Sequence, residues 1–164
     1  MSEIELTVVL IKPDALLRGL MGRIIQRFEE AGLKIVNLTM RVMDDELIRL
    51  HYHDLEERAG SAVYRAVASN MKLGPTVALL VEAVDAVANV RRLIGSTYPN
   101  EAAPGTIRGD FAHHSRAYTH AQSRAVSNLV HGSADEDDAA RELQIWFRGH
   151  APFSYQSVSQ DLTF

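Results

Sequence analysis

Apolar and polar positions change period several times along the chain, and each change marks an element. Leu6 to Ile11 is an apolar run that includes two valines. It predicts a buried strand, which Lys12-Pro13-Asp14 stops. Met21, Ile24, Ile25 and Phe28 then recur at helical spacing, and Gly32 closes that helix. Val36, Leu38, Met40 and Val42 alternate with Asn37, Thr39 and Arg41. That period predicts a strand with one face half exposed or set against a partner subunit. Asp44 caps a helix running towards His53, and a further helix covers Ser61 to Asn70 before the Gly74-Pro75 break. Thr76 to Val81 is a second buried strand. Asp85 to Ile94 is helical, with Ala86, Val87, Val90 and Ile94 inward and Gly95 at its end.

Residues 96–133 hold most of the loop signals, among them Tyr98-Pro99, Pro104-Gly105 and Gly109-Asp110. A loop of that length inside a compact domain usually carries function. Ser133-Ala134-Asp135-Glu136 fits a capping box opening a helix over 133–148. The acids Asp135 to Asp138 suit the first turn of that helix better than a metal site. Strands and helices interleave, which predicts an α/β sandwich with helices packed on a largely antiparallel sheet.

Composition narrows the class. The chain has 164 residues, 46% hydrophobic and 23% charged, enough for a single domain over 1–164 with a real core. Seventeen basic against twenty-one acidic side chains give a net charge of -4, so nucleic acid is an unlikely partner and any anion must meet a local basic cluster. The absence of cysteine excludes disulfides, thiolate nucleophiles and zinc-thiolate sites. Met1 to Glu5 lacks the pattern of a signal peptide, and no apolar run approaches the ~18–20 residues of a membrane span. The expected compartment is the cytoplasm.

Candidate chemistry centres on Asn128-Leu129-Val130-His131-Gly132-Ser133. A short apolar stretch delivers His131 just before a glycine that permits close approach. The imidazole there is open to three roles, as nucleophile, general base or metal ligand, and equally to an inert hydrogen-bonded one. On the following helix Glu142 falls at the margin of the apolar face. A carboxylate so placed needs a partner, either an imidazole N–H, an arginine or solvent. An imidazole partner would fix the tautomer and leave the other ring nitrogen free. Lys12 ends a buried strand, Arg91 lies nearer the apolar face of its helix than Arg92, and Arg108 sits in a shaped turn. Each suits phosphate oxygens or simple solvation. No glycine-rich phosphate loop is present, so a phosphate site would be built from side chains.

These segments together closely resemble nucleoside diphosphate kinases. The resemblance rests on Ile11-Lys12-Pro13-Asp14, Arg18-Gly19-Leu20 with Gly22, His51 to Leu55 and Gly74 to Ala78. It continues through Arg91 to Thr97, Pro104 to Phe111, Asn128 to Ser133, Glu142 and Trp146-Phe147. It implies a ferredoxin-like α/β sandwich with a mostly antiparallel four-stranded sheet covered by helices, assembled from dimers into hexamers or tetramers. It also implies ping-pong phosphoryl transfer from a nucleoside triphosphate such as ATP to a nucleoside diphosphate through a phosphohistidine at His131. In that scheme Nδ1 attacks, Glu142 and Ser133 orient the ring, and Lys12 assists. Lys12, Tyr52, Arg91, Thr97, Arg108 and Asn128 match the family's phosphate- and sugar-binding positions, and magnesium arrives with the nucleotide. A nucleotide-binding regulatory homologue with weak turnover is the competing expectation.

Three departures from the family pattern stand out. Arg58 is followed by Ala59-Gly60, where the family has a proline and a base-stacking phenylalanine. Losing such a stack costs ~1–3 kcal/mol, felt mainly in KM, unless Tyr64 or Phe111 substitutes. The stretch Ala112 to Ser127 is a loop insertion, rich in His113, His114, Tyr118 and His120, that is expected to be solvated or to flank the nucleotide cleft. Ala134 stands where the family has an aspartate. His51, His53, His113 and His150 are expected at the surface or in local hydrogen bonds.

Overall fold

The computed structural model describes residues 4–158 and 160–163. Met1 to Glu3, the start of the acidic N-terminal segment, and Ser159 and Phe164 of the tail lie outside them. In chain order the elements are β1 (Ile4–Ile11), α1 (Pro13–Leu17), α2 (Met21–Glu30), β2 (Lys34–Val42), α3 (Asp45–His51), α4 (Leu55–Ala59) and α5 (Ser61–Met71). There follow β3 (Pro75–Val84), α6 (Ala86–Ile94), α7 (Ile107–Phe111), α8 (Arg116–Ala121), β4 (Val130–Gly132), α9 (Glu136–Trp146) and α10 (Gln160–Thr163). A 3₁₀ turn covers Pro99–Glu101. No helix among the described residues is long and apolar enough to cross a membrane.

The strands form one antiparallel sheet in the order β2-β3-β1-β4 with helices on both faces, the ferredoxin-like α/β arrangement. The central position of β1 explains its unbroken apolar run, because neither face of Val8 to Ile11 meets water. Alternate residues feed two core layers. Val9, Ile11, Val77 and Leu79 pack under α2 and α6 with Ile24, Phe28 and Val90. Val8, Leu10, Ala78 and Leu80 pack on the other side with Ile48, Met71 and Trp146, from α3, α5 and α9.

The alternation in β2 is interrupted. Ile35 pairs with Val81, but Asn37 pairs with Leu80, so Val36 forms a bulge. The bulge reverses parity. Val36 is buried, whereas Leu38, Met40 and Val42 sit across from Leu79, Val77 and Pro75, on the opposite face of the sheet. They are 51%, 53% and 69% exposed. The four residues that the sequence pattern places on one face are thus divided between two. Among the described residues the C-terminal tail covers only the start of this edge. Phe153 N–H donates to Val36 O at 2.8 Å, and the Tyr155 hydroxyl donates to Ile35 O at 2.9 Å.

The start of α9 also departs from the sequence reading. Asp135, not Ser133, is its cap and accepts from Asp138 N–H at 2.8 Å, and the helix runs over 136–146 instead of 133–148. Ser133 is drawn away because its hydroxyl has a buried partner, described below. The stretch 112–127 is largely exposed, and it contains a short helix. Within it α8 is capped by Ser115, which accepts from Tyr118 N–H, and Arg116 lies over the Tyr98 ring at 4.4 Å.

Candidate active site

The register of β4 decides where His131 points. His131 pairs with Leu10, whose side chain faces α3, α5 and α9, so the imidazole faces those helices as well. Its neighbours Val130 and Gly132 face the opposite layer. There Gly132 lies so close to α6 that a Cβ on it would stand 2.9 Å from Val90 Cγ1. This is the close approach that a glycine after His131 permits.

Glu142, on α9, meets the imidazole. Its Oε1 accepts from His131 Nε2 at 2.7 Å, and its Oε2 accepts from the Ser133 hydroxyl at 2.8 Å. Ser133 Oγ in turn accepts from Val8 N–H at 3.3 Å, which ties the pair to the central strand. Glu142 is 1% exposed and His131 26%. Burial opposes the charge on Glu142. The hydrogen bond and charge of His131, with the Ser133 hydroxyl, outweigh it and hold the carboxyl below its usual range. An ionised carboxylate only accepts, so Nε2 carries a hydrogen, and in the neutral ring Nδ1 is the nitrogen left without one. Among the described residues Nδ1 has no hydrogen-bond partner.

The backbone before His131 is held in an unusual form. Leu129 has φ +71°, and Val130 N–H donates back to Asn128 O at 2.8 Å, closing a γ-turn. A buried, bulky residue in that region costs of order 1–3 kcal/mol and persists only when its surroundings impose it. They do so here. Asp14 Oδ2 accepts from Leu129 N–H at 3.1 Å, and Lys12 N–H donates to Leu129 O at 2.8 Å. Arg108 spans the turn, donating to Asn128 O at 3.2 Å, Val130 O at 2.8 Å and Gly95 O at 2.9 Å. Burial and the nearby Arg91 charge lower the Arg108 guanidinium to about 10, so it stays charged at neutral pH.

The other expected site residues converge on the same cleft, which has a volume of about 1330 Å³. Lys12, Tyr52, Arg91, Thr97, Arg108, Asn128, His131 and Glu142 line it, whereas Ser133 is buried behind Glu142. Lys12 Nζ donates to Asn128 Oδ1 at 2.7 Å, and Asn128 Nδ2 donates to Thr97 O at 2.9 Å. Burial lowers the Lys12 ammonium from its ordinary value and raises the Tyr52 phenol. Arg91 is exposed, and its guanidinium has no hydrogen bond or ion pair among the described residues. Such a set has the chemistry to bind and neutralise a polyanion beside an imidazole nitrogen.

Neither ring expected to replace the missing aromatic at Gly60 reaches the cleft. Phe111 packs against the α2–α6 layer, with Arg23 and Arg27 over its ring at 4.5 and 5.9 Å. Tyr64 packs in the opposite layer. Of the two places expected for His51, the surface is the one that does not hold. The residue is 3% exposed, and its ring stands edge-on to His131, with centroids 4.6 Å apart. Trp146 Nε1–H donates to its Nδ1 at 3.4 Å, which places the hydrogen on Nε2. The signal was in the spacing, because Leu47, Ile48 and His51 share the buried face of α3. His51, His131 and Glu142 also form a trio whose ligand atoms lie within 4.8 Å of one another.

Burial, then the neighbouring His131, Arg141 and His53, lower the His51 imidazole to about 3, with Glu142 opposing. An unfolded histidine takes a proton near 6.5. Between those values the unfolded chain binds the extra proton, so stability falls as pH drops from about 6.5 towards 3. In His51→Gln the decline of Tm over pH 6.5 to 4 should be shallower than in the parent. An unchanged slope would contradict the burial of a neutral His51.

Comparison with known proteins points to a single family. The family model described as nucleoside diphosphate kinase matches residues 5–151. A nucleoside diphosphate kinase of Borreliella burgdorferi is 38% identical over 93% of this chain and 93% of its own length. One from Pyrococcus furiosus is 41% identical over 94% and 90%. Among solved structures, a transition-state mimic of nucleoside-diphosphate kinase from Borrelia burgdorferi with bound vanadate and ADP superposes with a TM-score of 0.93. That chain is 36% identical, over 98% of this chain and 96% of that one. The enzyme from Halobacterium salinarum in complex with CDP gives 0.85 at 34% identity over 99% of both. With sequence and fold in agreement along nearly the whole chain, this protein belongs to the nucleoside diphosphate kinase family of phosphotransferases.

Proposed function

We propose that the protein moves the terminal phosphoryl group of a nucleoside triphosphate to a nucleoside diphosphate by a ping-pong route through His131. The observation that carries the reading is the 2.7 Å contact from Nε2 to Glu142, which leaves Nδ1 free in a cleft shared with Lys12, Arg91 and Arg108. In the first half-reaction a bond forms between Nδ1 and the γ-phosphorus while the bond to the bridging β–γ oxygen breaks, and the diphosphate leaves. In the second, the terminal oxygen of another diphosphate attacks the phosphorus and Nδ1 departs. Glu142 and Ser133 keep the ring aimed, while Lys12, Arg91 and Arg108 neutralise the equatorial oxygens, as a loose phosphoryl transition state requires. Tyr52, Thr97 and Asn128 position phosphates and sugar. Magnesium enters as part of the nucleotide, held by its phosphates. Ala134 offers no carboxylate, and the Asp135 carboxylate caps α9.

The reading is tested by incubating the protein with magnesium and γ-labelled ATP. The expected product is an acid-labile, base-stable label on the protein that GDP discharges. His131→Ala should take up none, and labelling that persists in that variant would refute the assignment. Glu142→Ala, which loses the ring's orientation, should turn over about 10²-fold more slowly while still binding nucleotide.

The same reading includes a homo-oligomer, a tetramer or hexamer built from dimers. Leu38, Met40 and Val42 on the edge strand support it, since they form an exposed apolar row beside a strand edge that the tail leaves open. Sedimentation of Met40→Glu is expected to show a lower mass than the parent. Equal masses would exclude this edge as the contact.

A further inference from the structure

The walls of the cleft differ in chemistry. On one side α4 and α5 present Leu55, Ala59, Ala62, Val63 and Ala66, which offer aliphatic contact but no hydrogen bonds. Arg58 is on that side too, but its guanidinium is paired with Asp54 at 3.1 Å. Gly60 has no side chain, and the space a Cβ would enter there holds no atom within 4 Å. The other side is built by the stretch that follows α7, where Thr119, His120, Ser123, Arg124 and Val126 line the cleft.

Arg124 differs from most of the cations around it. Arg108 is engaged by three carbonyl oxygens, Lys12 by Asn128, and Arg116 by the Tyr98 ring. The Arg124 guanidinium is exposed and has no ion pair, hydrogen bond or ring contact among the described residues. Its main chain, by contrast, is fixed. Arg124 N–H donates to Thr119 O at 3.2 Å, closing the end of α8, and Ser123 takes a left-handed turn at φ +50°. Thr119 itself is buried and donates its hydroxyl to Ser115 O at 2.8 Å. A planar, unpaired cation is therefore carried into the cleft on an anchored turn, while Lys12, Arg91 and Arg108 already provide for the phosphates.

We propose that Arg124 recognises the nucleobase, donating from its fork to the O6 and N7 acceptors of a guanine and so favouring guanine nucleotides over pyrimidine ones. This is the commonest match of an arginine to a base edge, and cytosine lacks the paired acceptors. The proposal rests on the reading of the cleft as a nucleotide site and names its base-selecting residue. The stretch 112–127 thereby supplies a polar base contact that the aliphatic wall at Gly60 does not.

Titration calorimetry tests this without requiring turnover. The ligands are GDP, CDP and ribose 5-diphosphate, the last keeping sugar and phosphates but having no base. The parent protein should bind GDP more tightly than CDP. Arg124→Ala should weaken GDP by about fivefold or more and leave ribose 5-diphosphate unchanged. Arg124→Lys, which keeps the charge but loses the fork, should not restore the preference. Equal weakening of all three ligands would make Arg124 a phosphate contact, and no change would make it a solvated side chain. Either result overturns the proposal. If the parent binds none of the three, the nucleotide reading itself fails, and that is a separate outcome.

Discussion

A carboxylate with 1% of its surface exposed has both oxygens engaged, one by His131 and the other by Ser133. Most of the site's geometry follows from that constraint. A buried charge at Glu142 is tolerable only with partners, and the partners it has determine which nitrogen of His131 is left over. Ser133 cannot also cap α9, so the cap passes to Asp135. The register of β4 with β1 places the imidazole on the side of the sheet where α9 lies, and a slip of one residue would turn it towards α6. His51 completes the enclosure. It is a neutral ring accepting from Trp146, stands edge-on to His131, and does not compete for the carboxylate oxygen 3.7 Å away.

The second constraint lies in the main chain. The turn at Leu129 would not hold alone, and of the three side chains that bear on it Arg108 and Lys12 also line the cleft. Arg108 grips two of its carbonyls, Asp14 accepts from its amide, and Lys12 is bonded to Asn128. Cations that neutralise phosphate in the proposed reaction thus also fix the strand that carries the imidazole. Electrostatics and positioning are not separable here, and a substitution at Arg108 disturbs both.

Much of this was legible along the chain, for identifiable reasons. Continuous apolar runs gave β1 and β3 because both strands lie inside the sheet, and the 3.6-residue period gave α2 and α6 because each covers one core layer. Glu142 at the margin of the apolar face of α9 already required a partner. What escaped the reading depended on contacts distant in sequence. The bulge at Val36 reverses the parity of β2, and no local residue announces it. Ser133 looked like a cap because its partner Glu142 is brought back only by the helix. Phe111 and Tyr64 looked available because their burial in opposite core layers is a tertiary fact. His51 could have been found from its spacing with Leu47 and Ile48, a pattern that its polar character obscured.

The account is tested most directly by asking which ring nitrogen of His131 carries phosphorus. Long-range ¹H–¹⁵N spectra of histidine-labelled protein, recorded after reaction with ATP, resolve the two nitrogens. Phosphorus on Nδ1, with Nε2 still protonated against Glu142, is the expected result. Phosphorus on Nε2, or a His131 ring left unmodified while phosphoryl transfer proceeds, would contradict it.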